Sequence, residues 1–208
     1  MTTQTETNLK ICKRNGWYYS DGQTEFPKPF PSVTKILKIL NKPALVYWAS
    51  RETAKICLAE PWLTEDEAYA RFKTLSQEAT TRGKGVHNYY KNFIQTGEKM
   101  DYPKQYDCYI QGILKFYSDF SPTHVHKNKI VKSIRHEYAG EIDTIDMINN
   151  KLTLIDIKTG GIYPEHELQL TAYKNALIED GIKIESTAIL LLPGDFNYQI
   201  VYKDAPLE

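Results

Sequence analysis

Two β-forming runs that flank the dipeptide Asn149-Asn150 constrain the fold of this chain more than any other feature. Residues 140–148 and 151–159 are rich in isoleucine, threonine and leucine, and asparagine tolerates the positive φ angles of a two-residue hairpin turn. A turn of that length fixes the register of the two strands. The sequence therefore predicts an antiparallel hairpin in which Ile148 lies opposite Lys151.

The predicted register brings ionisable side chains together on one face. Asp143 is expected directly opposite Asp156, and Glu141 opposite Lys158. The other face receives a mostly apolar set, namely Ile142, Thr144, Ile155 and Ile157. Two carboxylates about 5 Å apart repel each other unless a cation lies between them. Oxygen ligands favour a hard ion, so the pattern predicts a Mg²⁺ or Mn²⁺ site beside the Lys158 ammonium.

A helix is predicted directly after the second strand. Gly160-Gly161 ends that strand, and Pro164 suits the first turn of a helix. Gln169 and Tyr173 are four residues apart and share one face of this helix. We expect that face to meet the ends of the strands.

In this order and spacing, the residues resemble the PD-(D/E)xK nuclease superfamily, in particular its RecB-like branch. The motifs are Gly140-x-x-Asp143, Asp156-x-Lys158 and Gln169-x-x-x-Tyr173, preceded by Arg82-Gly83-x-x-x-His87. In addition, the segment Pro31-Ser32-Val33-Thr34-Lys35-Ile36-Leu37 is similar to a segment of mitochondrial genome maintenance exonucleases and related phage nucleases. The resemblance covers about residues 30–175.

The resemblance implies a restriction-endonuclease-like core and a set of site residues. The expected metal ligands are His87, Asp143, Asp156 and the carbonyl of Ile157. The expected catalytic residues are Lys158, Asp143, Asp156, Gln169, Tyr173 and Glu137. Outside this context His87 is an ordinary half-buried histidine, and Glu137 fits a solvated strand end equally well.

The residues before His87 predict a hairpin followed by helices. Asn15-Gly16 and Asp21-Gly22 are turn signals that predict the hairpin. Ser32 is a good N-cap for a first helix, and a second helix is expected over residues 44–59. Thr64 with Glu67 forms a capping box for a third helix. The glycines at 83 and 85 are expected to break or bend that third helix. A contact surface for nucleic acid is predicted from Trp48, Arg51, Lys55, Arg82 and Lys84. For the stripe on the second helix, a solvated face with one buried tryptophan is the alternative.

The remaining pattern completes an α/β fold. A helix is expected from Pro103 to about Ser121, and strands are expected over residues 123–127, 130–138, 186–192 and 197–203. We predict a mixed central β-sheet flanked by helices, with an N-terminal helical elaboration. Residues 1–208 are expected to form one nuclease domain, with residues 1–80 as the elaboration and residues 81–208 as the core.

Composition limits the compartment and the cofactors. The chain has 26 basic and 26 acidic residues, so any basic character needed for DNA must be local. Its three cysteines, Cys12, Cys57 and Cys108, are too few for the four-cysteine iron–sulfur cluster of some RecB-like nucleases, and no cluster is expected. Without an apolar run of about 18 residues or a signal-peptide core, the sequence predicts a soluble, cytoplasmic protein with no membrane partner.

The function predicted from these features is that of a Mg²⁺- or Mn²⁺-dependent DNA exonuclease that prefers single strands with a free end. The resemblance places it in DNA repair or recombination, including that of phages, with replication or recombination proteins as candidate partners. One alternative is a structure- or sequence-selective DNA endonuclease with the same core. A second alternative is a catalytically inert nucleic-acid-binding module, but such a module has no reason to keep paired buried carboxylates.

Overall fold

A mixed β-sheet lies at the centre of the computed structural model, which describes residues 11–20, 28–127 and 129–203. Its strands, in spatial order, are β10 (Gln199–Tyr202), β9 (Ser186–Leu191), β8 (Lys151–Lys158), β7 (Thr144–Ile148) and β4 (Thr123–Lys127). Strands β8 and β9 are parallel, and the other neighbours in this sheet are antiparallel. The predicted mixed central sheet is confirmed.

Smaller sheets complete the β-structure. Strands β1 (Ile11–Arg14) and β2 (Trp17–Ser20) form a hairpin through the predicted turn at Asn15-Gly16, and β3 (Phe30–Pro31) pairs with β2. The second predicted turn, Asp21-Gly22, lies outside the described residues. Strand β5 (Ile130–Ser133) pairs with β6 (Tyr138–Glu141). The single strand predicted over residues 130–138 is therefore wrong, because the chain turns back on itself between Ser133 and Tyr138.

The central hairpin has the predicted turn and register, but its first strand is shorter than predicted. Asn149 and Asn150 have φ angles of 49° and 62°, and Ile148 lies opposite Lys151. Strand β7 begins only at Thr144, and β6 pairs with β5 instead of β8. The predicted ladder pairs of Asp143 with Asp156 and of Glu141 with Lys158 are therefore wrong.

The interruption at residues 142–143 also changes which side Ile142 faces. The Ile142 amide donates to the Lys129 carbonyl, 3.0 Å away, and its side chain packs in the same cluster as Leu154. Ile155 and Ile157 pack in the cluster on the opposite face of the sheet. The prediction that Ile142 shares their face is wrong, because strict alternation of side chains holds only while a strand is continuous.

The helices are α1 (Val33–Ile36), α2 (Pro43–Ala59), α3 (Glu65–Thr96), α4 (Asp107–Phe120) and α5 (Pro164–Glu179). Helix α3 begins with the predicted capping box, in which the Thr64 amide donates to Glu67 over 2.8 Å. Of the break or bend expected at Gly83 and Gly85, the break is wrong, since α3 is continuous through both residues. A Cβ at residue 85 would lie 2.5 Å from a ring carbon of Tyr106, so this glycine provides room for packing inside the helix.

Helices cover both faces of the central sheet. Apolar side chains of α3 and α4, including Tyr90 and Ile113, pack with Ile155 and Ile157 on one face. Side chains of α5, including Leu170, pack with Leu154 on the other. Each fully buried leucine or isoleucine stabilises such a core by about 1.5–3 kcal/mol relative to exposure. Two covered faces around one mixed sheet confirm the predicted α/β fold class.

Helix α2 stands apart from this core. It contains no buried residue and packs on α3, where the rings of Trp48 and Phe72 lie 5.5 Å apart. Within the described residues, the structure has no helix long and apolar enough to cross a membrane.

Candidate active site

The end of β8 is the centre of the candidate site. It supplies Asp156, Ile157 and Lys158, and the strand interruption before β7 supplies Asp143. His87 reaches this point from α3, and Gln169 and Tyr173 reach it from α5. Sequence-distant residues predicted to form one site are thus brought together by two helices that approach the same strand from its two faces.

The peptide group of Ile157 connects Asp143 and His87. The Ile157 amide donates to Oδ2 of Asp143 over 2.8 Å, and the Ile157 carbonyl accepts from Nε2 of His87, also over 2.8 Å. Nδ1 of His87 lies 3.4 Å from the second carboxylate oxygen of Asp143. Asp143 therefore reaches β8 through its side chain, although it does not belong to the hairpin ladder.

A second set of contacts joins β8 to α5. The Lys158 ammonium lies 2.5 Å from Oδ2 of Asp156 and 3.4 Å from Oε1 of Gln169. The amide nitrogen of Gln169 donates to the Tyr173 hydroxyl over 2.9 Å. A Cβ at Gly140 would lie 2.2 Å from Cε1 of Tyr173, so a glycine is needed there for the ring to fit.

Burial and charge shift the pKa values of the two carboxyls in opposite directions. Burial raises the pKa of Asp156, and the negative charge of Asp143 adds to that effect, while Lys158 opposes it. Burial also acts to raise the pKa of Asp143, but the nearby His87 and the hydrogen bond from the Ile157 amide outweigh it, so the pKa of Asp143 is lowered. Asp143 is therefore the more firmly ionised member of the pair.

The pKa of His87 reflects the same cluster. Burial acts to lower the pKa of the imidazole, but the Asp143 carboxylate outweighs burial, and the pKa is raised overall. In this arrangement His87 and Lys158 are the groups that neutralise the carboxylates of Asp143 and Asp156.

The donor atoms of the site are of the kinds that hold a hard divalent ion. Two carboxylates, a backbone carbonyl and an imidazole suit Mg²⁺ or Mn²⁺. Among the residues that the structure describes, however, no group of three or more His, Cys, Asp or Glu side chains forms a ready-made metal site. The chemical type of the donors fits an ion, while their side chains point toward His87 and Lys158 instead of a shared centre.

A cleft of about 1050 Å³ opens beside these residues, between the helices α2 and α3 and the end of β8. Trp48, Arg82 and Lys84, three of the predicted nucleic-acid contacts, line it together with His87 and Lys158. The Arg82 guanidinium also lies 5.4 Å from the centre of the Tyr109 ring. One wall of the candidate site is thus basic and aromatic.

The other two predicted contacts do not line this cleft. Arg51 packs over the ring of Tyr47 at 5.6 Å, and Lys55 forms an ion pair of 2.6 Å with Glu52. The stripe predicted on α2 is therefore divided, with only Trp48 turned toward the candidate site. The three positions share one face of a straight helix, but Lys55 lies about 10 Å further along the helix axis than Trp48, which puts the far end of the stripe beyond the cleft.

Glu137 also lies elsewhere. It occupies the turn between β5 and β6 with a φ of 56°, and its carboxylate forms an ion pair of 2.6 Å with Lys28, with about half of its side chain exposed. Glu137 is therefore solvent-exposed, as in the alternative interpretation of this residue. The reason is that β5, the strand expected to continue to the site, ends at Ser133, four residues before Glu137.

Sequence reasoning missed several residues that line the cleft. Lys13 and Thr34 come from the N-terminal hairpin and from α1, and Tyr163 and His166 come from the start of α5. His166 is three residues before Gln169, so helical periodicity could have placed it on the same face. No local signal links Lys13 to a site formed 130 or more residues later in the chain.

Neither the models of known protein families nor the curated protein sequences give a match to this chain.

Proposed function

We propose that this protein is a Mg²⁺- or Mn²⁺-dependent deoxyribonuclease that acts as an exonuclease on single-stranded DNA. One observation carries the proposal: the half-buried carboxylate of Asp143 and the buried carboxylate of Asp156 lie with Lys158 beside a cleft lined by basic and aromatic side chains. Withdrawing two neighbouring carboxylates from water, even in part, is costly to a fold, which favours a role in chemistry. The resemblance of the motifs to RecB-like nucleases points the same way.

The ion would be held by Asp143, Asp156, the Ile157 carbonyl and His87. Bound there, it would supply an acidified water as nucleophile and offset negative charge on the phosphate. The set has the oxygen-rich composition that these ions prefer.

Lys158 has the role of a positioned cation. Its ammonium contacts Asp156 at 2.5 Å and Gln169 at 3.4 Å, so its long side chain is held from two sides. A fixed positive charge at this point stabilises the charge that grows on phosphate oxygens during in-line attack. The hydrogen bond between Gln169 and Tyr173 in turn orients the Gln169 amide.

The cleft favours a single strand over a duplex as substrate. Trp48 offers a ring on which an unpaired base can stack, and Lys13, Arg82 and Lys84 can follow the phosphates. Stacking needs bases that are exposed, and bases in a duplex are not. Replication, recombination or repair are the processes in which such an enzyme would act.

The test is digestion of end-labelled single- and double-stranded DNA with Mg²⁺, Mn²⁺, Ca²⁺ or excess chelator. We expect cleavage with Mg²⁺ and Mn²⁺, little with Ca²⁺ because of its looser coordination, and none with chelator. Asp156→Asn should reduce the single-turnover rate by about 10³-fold or more, because losing an ionic ligand removes several kcal/mol of transition-state stabilisation. Full cleavage in chelator, or by the variant, would rule out this mechanism.

The same substitution tests whether the loss is chemical or structural. Burial raises the pKa of Asp156, so the ionised carboxylate is less stable in the folded protein than in water. The metal-free Asn variant should therefore keep a thermal midpoint equal to or above that of the wild type. A variant that loses both activity and folding would leave Asp156 as a structural residue.

A further inference from the structure

His166 is a half-buried polar group of the cleft that the proposed mechanism does not use. It lies in the first turn of α5, three residues before Gln169, and lines the cleft together with Lys158. The backbone amide of Tyr163 donates to Nδ1 of His166 over 3.2 Å. Because an amide can only donate, Nδ1 must carry no proton in this contact.

The protonation state of the other ring nitrogen follows. Burial, with a further contribution from the Lys158 cation, lowers the pKa of His166 to about 4. The imidazole is therefore neutral at neutral pH, and its one proton lies on Nε2. The described residues give Nε2 no hydrogen-bond partner.

The ring is also held in place. The Tyr163 ring lies 5.5 Å from it, inclined at 64°, and the contact with the Tyr163 amide fixes the opposite edge. The cleft thus contains a rigid, uncharged N–H donor among several flexible cations. A cation attracts any nearby phosphate, whereas a neutral donor binds only an acceptor in the right direction.

We propose that His166 is a substrate-binding residue whose Nε2–H donates to a backbone phosphate oxygen of the DNA strand in the cleft. The inference rests on the proposed function for its substrate, and it assigns to His166 the alignment of the strand. Phosphate oxygens are acceptors only, so they match a group that has a donor and no acceptor free.

The test compares His166→Gln with His166→Glu. Glutamine and glutamate have the same shape, and at this position of a helix both accept a hydrogen bond from the N-cap amide. Only glutamine also has an N–H donor. We expect the KM for a single-stranded oligonucleotide to stay within about 3-fold of wild type for Gln and to rise about 10-fold or more for Glu.

Controls separate this role from charge and folding effects. Leu168→Gln and Leu168→Glu make the same change on the same helix at a side chain that is 48% exposed and does not line the cleft. These two variants should share one KM, and the two His166 variants should share one thermal midpoint. If Gln and Glu at residue 166 give the same KM, His166 serves only the start of the helix and the proposal is wrong.

A binding measurement distinguishes failure of this inference from failure of the proposed function. Fluorescence anisotropy with a labelled single-stranded oligonucleotide in excess chelator requires no cleavage. Loss of affinity in His166→Glu but not in His166→Gln, in a protein that never cleaves DNA, would keep this site and overturn the nuclease. Normal cleavage with equal affinity of the two variants would overturn His166 alone. A wild-type protein that neither binds nor cleaves would overturn both.

Discussion

At the scale of single residues, one peptide group determines the geometry of the candidate site. The amide of Ile157 holds Asp143 and its carbonyl holds His87, each at 2.8 Å. Asp156 and Lys158, the neighbours of Ile157, point to the opposite face of the strand, toward α5. The strand therefore presents contacts on its edge as well as on its face, and the two carboxylates expected to bind the ion, Asp143 and Asp156, reach the site by these two different routes.

Lys158→Ala should lower kcat by about 10²-fold or more while leaving the metal affinity unchanged, because its proposed contact is with the phosphate and the water. His87→Ala should instead weaken Mn²⁺ binding, because it removes an expected metal ligand, and a high Mn²⁺ concentration should partly restore its activity. Calorimetric titration with Mn²⁺ and steady-state kinetics on one oligonucleotide measure both effects. An equal loss of Mn²⁺ affinity in both variants would make Lys158 structural, and unchanged affinity in the His87 variant would make it a core residue.

Gly140→Ala should destabilise the fold by about 1–3 kcal/mol, as overpacking of a close contact does. The added Cβ would lie 2.2 Å from the Tyr173 ring, so Tyr173 must move and its bond with Gln169 must break. Gly160→Ala is the matched control, since a Cβ there meets nothing within 4 Å. Urea unfolding measures both. Combining Gly140→Ala with Tyr173→Leu should recover part of the loss, and strictly additive losses would contradict a clash between these residues.

At the scale of elements, the sequence predicts regular pairing better than it predicts interruptions. The hairpin between β7 and β8 follows from Asn149-Asn150 and from alternation of apolar side chains, both of which are local. The break at Ile142 is not local, because an isoleucine there is equally compatible with a continuing strand. The break follows from long-range pairing: β6 forms its hydrogen bonds with β5 and therefore does not join the central sheet.

Tertiary packing also overrides helix-breaking signals. Gly83 and Gly85 predict an interruption of α3, yet the helix continues because Gly85 lets the Tyr106 ring approach its backbone. The loss in helix propensity, about 1 kcal/mol per glycine, is small compared with the burial of an aromatic ring. The sequence shows the glycine at residue 85, but it does not show that the Tyr106 ring packs against it.

The carboxylate of Glu179, at the end of α5, forms hydrogen bonds with the turn between β5 and β6. It accepts from the Ser133 hydroxyl at 2.5 Å and from the amides of Ile134 and Arg135 at 3.0 and 3.3 Å. Burial acts to raise the pKa of Glu179, but these hydrogen bonds outweigh it, and the pKa falls below its ordinary value of 4.5. A lowered pKa in the folded state means stability that is present above pH 4.5 and is lost as the pH falls through the lowered value.

Glu179→Gln should therefore lower the free energy of unfolding at pH 7 by at most about 1 kcal/mol, since the carboxylate is exposed and screened by solvent. The difference from wild type should shrink as the pH falls below the ordinary pKa of 4.5. Urea unfolding at a series of pH values measures this difference in the free energy of unfolding. Glu78→Gln, at an exposed carboxylate on α3, is the control and should change stability little at any pH. A difference that grows toward acid pH would have the wrong sign for this assignment.

At the scale of the whole molecule, an overall net charge of zero conceals a local basic surface. Lys13, Arg82, Lys84 and Lys158 come from three separate parts of the chain and line one cleft, where Glu141 is the opposing charge among the lining residues. Composition could not predict this, because the clustering arises only when β1, α3 and β8 meet. The proximity of Asp156 and Lys158, and of Gln169 and Tyr173, was predictable because their spacing follows strand and helix periods, whereas Asp143 contacts β8 from an interruption that no period predicts.

The position of the elaboration gives the cleft its shape. Leu45 and Trp48 of α2 and Thr80 of α3 form one wall, and residues 157–161 at the end of β8 form the other. On the proposed function, a DNA strand between these walls would have its scissile phosphate beside Lys158 and a base beside Trp48. If the strand enters by passing its end between the walls, DNA without an end should be a poor substrate.

Circular single-stranded DNA tests this entry path directly. We expect the linear form of a given sequence to be degraded at least about 10-fold faster than the closed circle, because a circle offers no end to pass between α2 and the end of β8. The two forms have the same bases, phosphates and salt dependence, so any difference in rate reports the need for an end. Trp48→Ala provides a second test. It should lower the rate at which the linear form is degraded, because it removes a stacking surface, and it should leave the slow cleavage of circles unchanged. If wild-type protein cuts circles as fast as the linear form, the strand enters the cleft from the side, and the endonuclease alternative replaces the exonuclease.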